Sequence, residues 1–174
     1  MRVQVAAASL LPNDGKQGLA VVAIAGLPVA QSGAVSAVLG RCLKAIGVPE
    51  PKALQLPVPT SIGEEVADAW VIQGIGYREA AALAVVAAAA VAHKSGDALH
   101  VAVARDWWLR EAVAGRVAPK REQLGRWLRQ AATHGLHLEP GDPDELRALE
   151  GMAALAVAHA AKQAGLQGQL FPSR

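Results

Sequence analysis

Apolar positions recur along the chain in two periods, and the switches between those periods lay out the elements. Arg2 to Ser9 alternates and stops at Leu11-Pro12-Asn13-Asp14-Gly15, a run of turn chemistry. Gly18 to Gly26 is a second, continuously apolar strand, and the two together predict a β-hairpin. From Ala34 onward Val35, Val38, Leu39, Cys42, Leu43 and Ile46 fall three and four apart, which is one face of a helix. Pro49, Pro51, Pro57 and Pro59 then leave room for only a short extended piece at Ala53 to Leu56. Ser61 with Glu64 three residues on has the form of a capping box and predicts a short helix through Trp70.

Gly74 and Gly76 break the chain before a long alanine-rich helix from Tyr77 to Ala92, a composition that favours helix and allows close packing on a sheet. Leu99 to Arg105 alternates as a third strand, and Asp106 to Ala114 reads as helical. Lys120 to Thr133 is an amphipathic helix with Leu124, Trp127 and Leu128 on one side. Leu136 to Glu139 is a short strand, Gly141 to Asp144 a turn, and Glu145 to Ala164 a final helix, after which a frayed tail is expected. Interleaved strands and helices define an α/β class, with a mixed central sheet that begins with the N-terminal hairpin and is flanked by helices.

Composition narrows this further. At 174 residues, 52% apolar and 18% charged, the chain suits one domain, taken as residues 1–165 with a flexible tail at 166–174. The longest apolar run, Ala80 to Ala92, is shorter than the roughly 18–20 residues that span a bilayer, so no membrane association is expected. Arg2-Val3-Gln4-Val5 has none of the layout of a secretory signal, and a cytoplasmic location is expected. The single cysteine, Cys42, supplies neither a disulfide nor a redox pair. His93, His134 and His137 lack ligand spacing, and Gly74-Ile75-Gly76 lacks the rest of a phosphate-binding fingerprint.

A net charge of +2 neither compels nor excludes nucleic acid, so local distribution decides. Arg110, Arg116, Lys120, Arg121, Arg126 and Arg129 cluster among Trp107, Trp108 and Trp127, a pattern suited to phosphate contact. The opposing reading buries the tryptophans in the core and lets the arginines solvate helix faces, offset by Glu111 and Glu122.

The order of elements resembles the ribonuclease H superfamily, and several short runs support the likeness. Ala6-Ala7-Ala8-Ser9, then Pro12-Asn13-Asp14-Gly15 and Gly18-Leu19-Ala20, is similar to the end of that family's first strand, its turn and the start of its second strand. Tyr77-Arg78-Glu79-Ala80-Ala81-Ala82 resembles the start of its acidic helix, with the arginine and glutamate one residue closer together. Ala104-Arg105-Asp106-Trp107-Trp108-Leu109 resembles a strand end carrying a carboxylate, and Gly125-Arg126-Trp127-Leu128 the helix beyond it. His137 to Asp142 matches the last strand and loop, and Leu149-Glu150-Gly151-Met152-Ala153 the acidic site on the last helix. Residues 35–76 form an insertion relative to the family, with Ala53 to Leu56 the candidate third strand.

The resemblance implies a ribonuclease H-like fold and cleavage of the RNA strand of an RNA/DNA hybrid by two Mg²⁺ or Mn²⁺ ions about 4 Å apart, held by convergent carboxylates. Ala7 and Arg105 stand where two of those aspartates are expected, while Glu79 and Glu150 remain as catalytic and metal-ligating candidates. Asp106 would substitute only where the strand ends early or bulges, because a shift of one residue turns a side chain to the other face. Asp14, Asp142 and Asp144 are weaker alternatives, better explained by turn and loop solvation. Arg105 between two glutamates would supply the positive charge that metal otherwise supplies. Candidate nucleic-acid contacts are Asn13, Arg116, Lys120, Arg121, Arg126 and Trp127. Three functions follow: a catalytically impaired module that binds RNA/DNA hybrid or RNA without a cofactor, an active Mg²⁺- or Mn²⁺-dependent ribonuclease H using relocated carboxylates, and a protein-interaction or structural module, with a homo-oligomer among its forms.

Overall fold

The computed structural model describes residues 1–12, 18–60, 63–104, 107–165 and 168–171. Arg2–Pro12 (β1) and Leu19–Ala25 (β2) form the predicted antiparallel hairpin, with Gln4 opposite Ala25 and Leu10 opposite Leu19. Val3, Val5 and Ala7 join one hydrophobic cluster with Ala20, Val22 and Ile24, while Ala6, Ala8 and Leu10 join a second with Leu19, Val21 and Ala23. A strand buried on both faces has no reason to alternate with polar residues, which is why β2 reads as an unbroken apolar run.

Val29–Ala45 (α1) buries Val35, Leu39 and Leu43 at four-residue spacing against the first cluster. Its polar face is also engaged: Ser32 Oγ donates to Asp68 Oδ2 at 2.9 Å, and Trp70 Nε1 donates to Ser36 Oγ at 3.1 Å. Those two partners lie on a strand that the sequence disguises. Where a capped helix through Trp70 is predicted, Gly63–Gln73 (β4) pairs antiparallel with β2 on one side and with Lys52–Thr60 (β3) on the other. Ladder bonds to two neighbours outweigh the helical preference of Glu65, Ala67 and Ala69. The third strand beside the hairpin is therefore β4, and Ala53 to Leu56 belongs instead to an additional edge strand outside it. Pro57 and Pro59 share one parity of that edge strand, where a missing N–H need not break the ladder.

Tyr77–Lys94 (α2) is buried on nearly every side from Ala80 to Ala92, wedged between the sheet, α1 and a later helix. Leu99–Val103 (β5) runs parallel to β1, with Arg2 opposite His100 and Val5 opposite Val103. Trp107–Val113 (α3) and Glu122–Thr133 (α4) follow, then Leu136–Leu138 (β6), Pro143–Gln163 (α5) and Gly168–Phe171 (β7). The seven-stranded sheet has the order β3-β4-β2-β1-β5-β6, with β7 also on β1. Where the sequence predicts a frayed tail, β7 pairs antiparallel with Ser9–Pro12, the part of β1 that extends past the end of β5. The helices α1, α2, α3 and α4 contribute to the first cluster, and α5 contributes Leu149, Ala153, Val157 and Ala161 to the second. Among the described residues, no helix is long and apolar enough to cross a membrane.

Candidate functional site

β5 stops at Val103 while β1 continues, and a small cleft opens at that step. Its lining includes Ala7 from β1, Val103 and Ala104 from the end of β5, Arg78 and Ala81 from the start of α2, Trp108 from α3 and Glu150 from α5. The volume is about 20 Å³, room for about one water molecule.

Glu150 is brought there by the way α5 starts. Asp142 caps that helix, its Oδ1 accepting from the backbone N–H groups of Asp144 at 2.8 Å and Glu145 at 3.1 Å, with Pro143 in the first turn. The preceding Gly141 lies so close to β5 that a Cβ there would fall 2.6 Å from the Ala102 Cβ. The approach fixes the helix on the strand, and two turns later Glu150 sits 8% exposed at the cleft. Asp142 is thus a helix cap, and the fully solvated Asp144 has Arg147 as an ion-pair partner at 3.5 Å.

Glu79 does not share this lining. Consecutive helical residues are about 100° apart around the axis, so with Arg78 and Ala81 facing the cleft, Glu79 faces α4 instead. Its Oε2 accepts from Arg121 Nε at 2.7 Å, and Arg121 Nη1 also donates to the Ile46 carbonyl at 3.4 Å. The two glutamates kept by the family resemblance therefore occupy different surroundings. Arg78, named in the sequence only as part of the helix-start motif, is an exposed residue of the cleft lining, its guanidinium carbon 5.8 Å from the Tyr77 ring centroid. Both Arg78 and Glu150 are engaged with partners.

Asn13, Asp14, Arg105 and Asp106 lie outside the described residues. Of the other proposed nucleic-acid contacts, Arg121 is paired with Glu79, while Arg116 donates from Nε and Nη2 to Glu111 at 2.5 and 3.1 Å. That guanidinium holds the Glu111 carboxyl below its usual range. Lys120 and Arg126 are exposed, and Trp127 packs half-buried on the core together with Trp108. Cys42 packs there too, and burial pushes its thiol pKa up.

Two divalent cations need several hard oxygen donors converging on one point. The described lining offers the carboxylate of Glu150, methyl groups at Ala7 and Ala104, and the positive charge of Arg78. Among the described residues, no group of three or more His, Cys, Asp or Glu side chains is placed to hold a metal ion. These residues do not fit a two-metal centre.

A hairpin-led mixed sheet, a buried helix crossing one face and a single long helix on the other define a ribonuclease H-like fold, as the sequence pattern predicts. Comparison with solved structures agrees. The chain is similar to the N-terminal RNase H domain of Rv2228c from Mycobacterium tuberculosis, with a TM-score of 0.50 and 14% identity, over 94% of this chain and 98% of that one. It is also similar to RNase H1 from the halophilic archaeon Halobacterium salinarum NRC-1, with a TM-score of 0.48 and 10% identity, covering 91% and 99% of the two chains. At such identities the likeness is one of fold. No protein-family model matches the chain, and no curated protein matches it in sequence.

Proposed function

We propose that this chain is a catalytically impaired ribonuclease H-like module that binds an RNA/DNA hybrid or RNA. The observation that carries the reading is the cleft at the end of β5, where Ala7 and Ala104 supply no oxygen donor and Arg78 places a cation in the same lining as Glu150. An arginine in the lining brings a fixed positive charge to a position where a metal ion would otherwise have to balance a carboxylate.

Support for binding comes from the basic side chains that remain available. Lys120 precedes α4, and Arg126 and Arg129 lie on its exposed side. Such groups contact phosphate oxygens irrespective of base sequence, and their contribution falls as salt rises. The likeness in fold to RNase H domains makes a hybrid the first ligand to try.

The test is binding of labelled RNA/DNA hybrid, single-stranded RNA and duplex DNA at two salt concentrations. The double variant Lys120→Glu/Arg126→Glu is expected to weaken hybrid binding at least about tenfold and to reduce the salt slope by about two. Absence of binding to all three would move the chain to the protein-interaction reading.

A further inference from the structure

The helices on the two faces of the sheet differ in charge. On one face, α1, α2 and the stretch from Trp107 to Thr133 that holds α3 and α4 carry ten Lys and Arg side chains against three Glu, in a chain whose net charge is +2. The remainder of the molecule is therefore net acidic. Two of the three acids are already neutralised, Glu79 by Arg121 and Glu111 by Arg116. Arg41, Lys44, Lys120, Arg126 and Arg129 are exposed, and none of them is held in an ion pair among the described residues.

One side chain gathers part of this charge. Arg121 donates to Glu79 at the start of α2 and to the carbonyl of Ile46, the residue after α1. Lys44 is two residues from Ile46 and Lys120 adjoins Arg121, so the basic end of α1 and the basic start of α4 meet at one end of the helical layer. The acids nearby are Glu122 in the first turn of α4 and Glu50, which lines a groove with Arg41 and Lys44. They leave the surplus positive.

We propose that the phosphate backbone of a nucleic acid lies across this end of the layer, so that Arg41 and Lys44 of α1 contact phosphates together with Lys120 and Arg126. The inference rests on the nucleic-acid reading above and extends its surface to α1. The lack of an apolar centre selects this occupant. Of the exposed large apolar side chains among the described residues, Leu11, Val29, Val66 and Leu155, only Val29 belongs to these helices, at the opposite end of α1 from Lys44. A protein partner buries an apolar core within a polar rim, whereas phosphate contact needs exposed cations.

The test is binding of labelled RNA/DNA hybrid to the full chain across a salt series. Arg41→Glu/Lys44→Glu should weaken binding at least about tenfold and reduce the salt slope by about two, as for two lost phosphate contacts. Arg41→Gln/Lys44→Gln, which puts no acid near a helix C-terminus, should keep the parent melting temperature and show a smaller loss of the same sign. Lys52→Glu/Lys162→Glu makes the same change of net charge on β3 and α5 and should alter affinity less than about twofold, because separated surface charges are screened. Parent-like binding by both Arg41/Lys44 variants, with Lys120→Glu/Arg126→Glu still weakened, would overturn this inference and leave the nucleic-acid reading standing. An equal loss in Lys52→Glu/Lys162→Glu would overturn it by assigning the effect to net charge, and displacement of the hybrid by polyglutamate as readily as by RNA would overturn the choice of nucleic acid. A parent chain that binds no hybrid, RNA or duplex DNA would overturn both readings.

Discussion

Arg121 donates from Nε to Glu79 Oε2 at 2.7 Å and from Nη1 to the Ile46 carbonyl at 3.4 Å, so one side chain ties the start of α2 to the start of α4 and the residue after α1. With side chains 33% and 29% exposed, the pair is screened by solvent and is worth roughly 0.5–1 kcal/mol. A double-mutant cycle of Glu79→Gln and Arg121→Met, read by chemical denaturation, should return a coupling energy of that size. Purely additive losses would mean that the contact does not persist in solution.

The segment between β2 and β4 is part of the core. Leu39 on α1 is fully buried in the same cluster as Trp70 and Ile72. Leu39→Ala should therefore cost about 2–5 kcal/mol, the range for a large-to-small change in a packed interior. A loss below about 0.5 kcal/mol, typical of a surface change, would detach α1 from the domain.

Asp142 satisfies two backbone donors at the start of the helix that carries Glu150. Asp142→Ala should lower stability by about 1 kcal/mol, whereas Asp142→Asn or Asp142→Ser should retain most of it. Equal losses in all three variants would argue for a role in charge rather than in capping.

The Glu111 carboxyl is held below its usual range chiefly by hydrogen bonding to Arg116 and also by its charge. A folded pKa lowered in this way contributes stability that is present above the unfolded carboxylate pKa and lost as pH falls through the folded one. NMR titration should place Glu111 below the ordinary glutamate value, and Arg116→Gln should return it there. An unchanged Glu111 titration in that variant would assign the shift to another cause.

Much of this fold is legible in the amino-acid order because periodicity is strong where an element buries one face. The amphipathic α4 shows this, as do α1 and the alternating β5. β4 is hidden because from Ala67 to Ile72 both of its faces are covered, which erases alternation, and because its Glu and Ala residues prefer helix when judged alone. β7 is hidden for a different reason: it exists where β1 extends past β5, a relationship between distant segments that no local pattern records. At the cleft, Glu150 is legible from its place on the last helix. The separation of Glu79 from it is not, because one residue of rotation around α2 decides which side chain faces the cleft.

The central proposal is that this ribonuclease H-like fold binds nucleic acid while the described residues of the cleft at the end of β5 lack the ligands for hydrolysis. The most direct test is incubation of a labelled RNA/DNA hybrid with saturating protein and Mg²⁺ or Mn²⁺, following binding and strand cleavage in the same samples beside Glu150→Gln and Glu79→Ala. The account predicts hybrid that is bound and intact. Metal-dependent cleavage that disappears in Glu150→Gln or Glu79→Ala would contradict it, and would mean that residues such as Asp106 complete a working site.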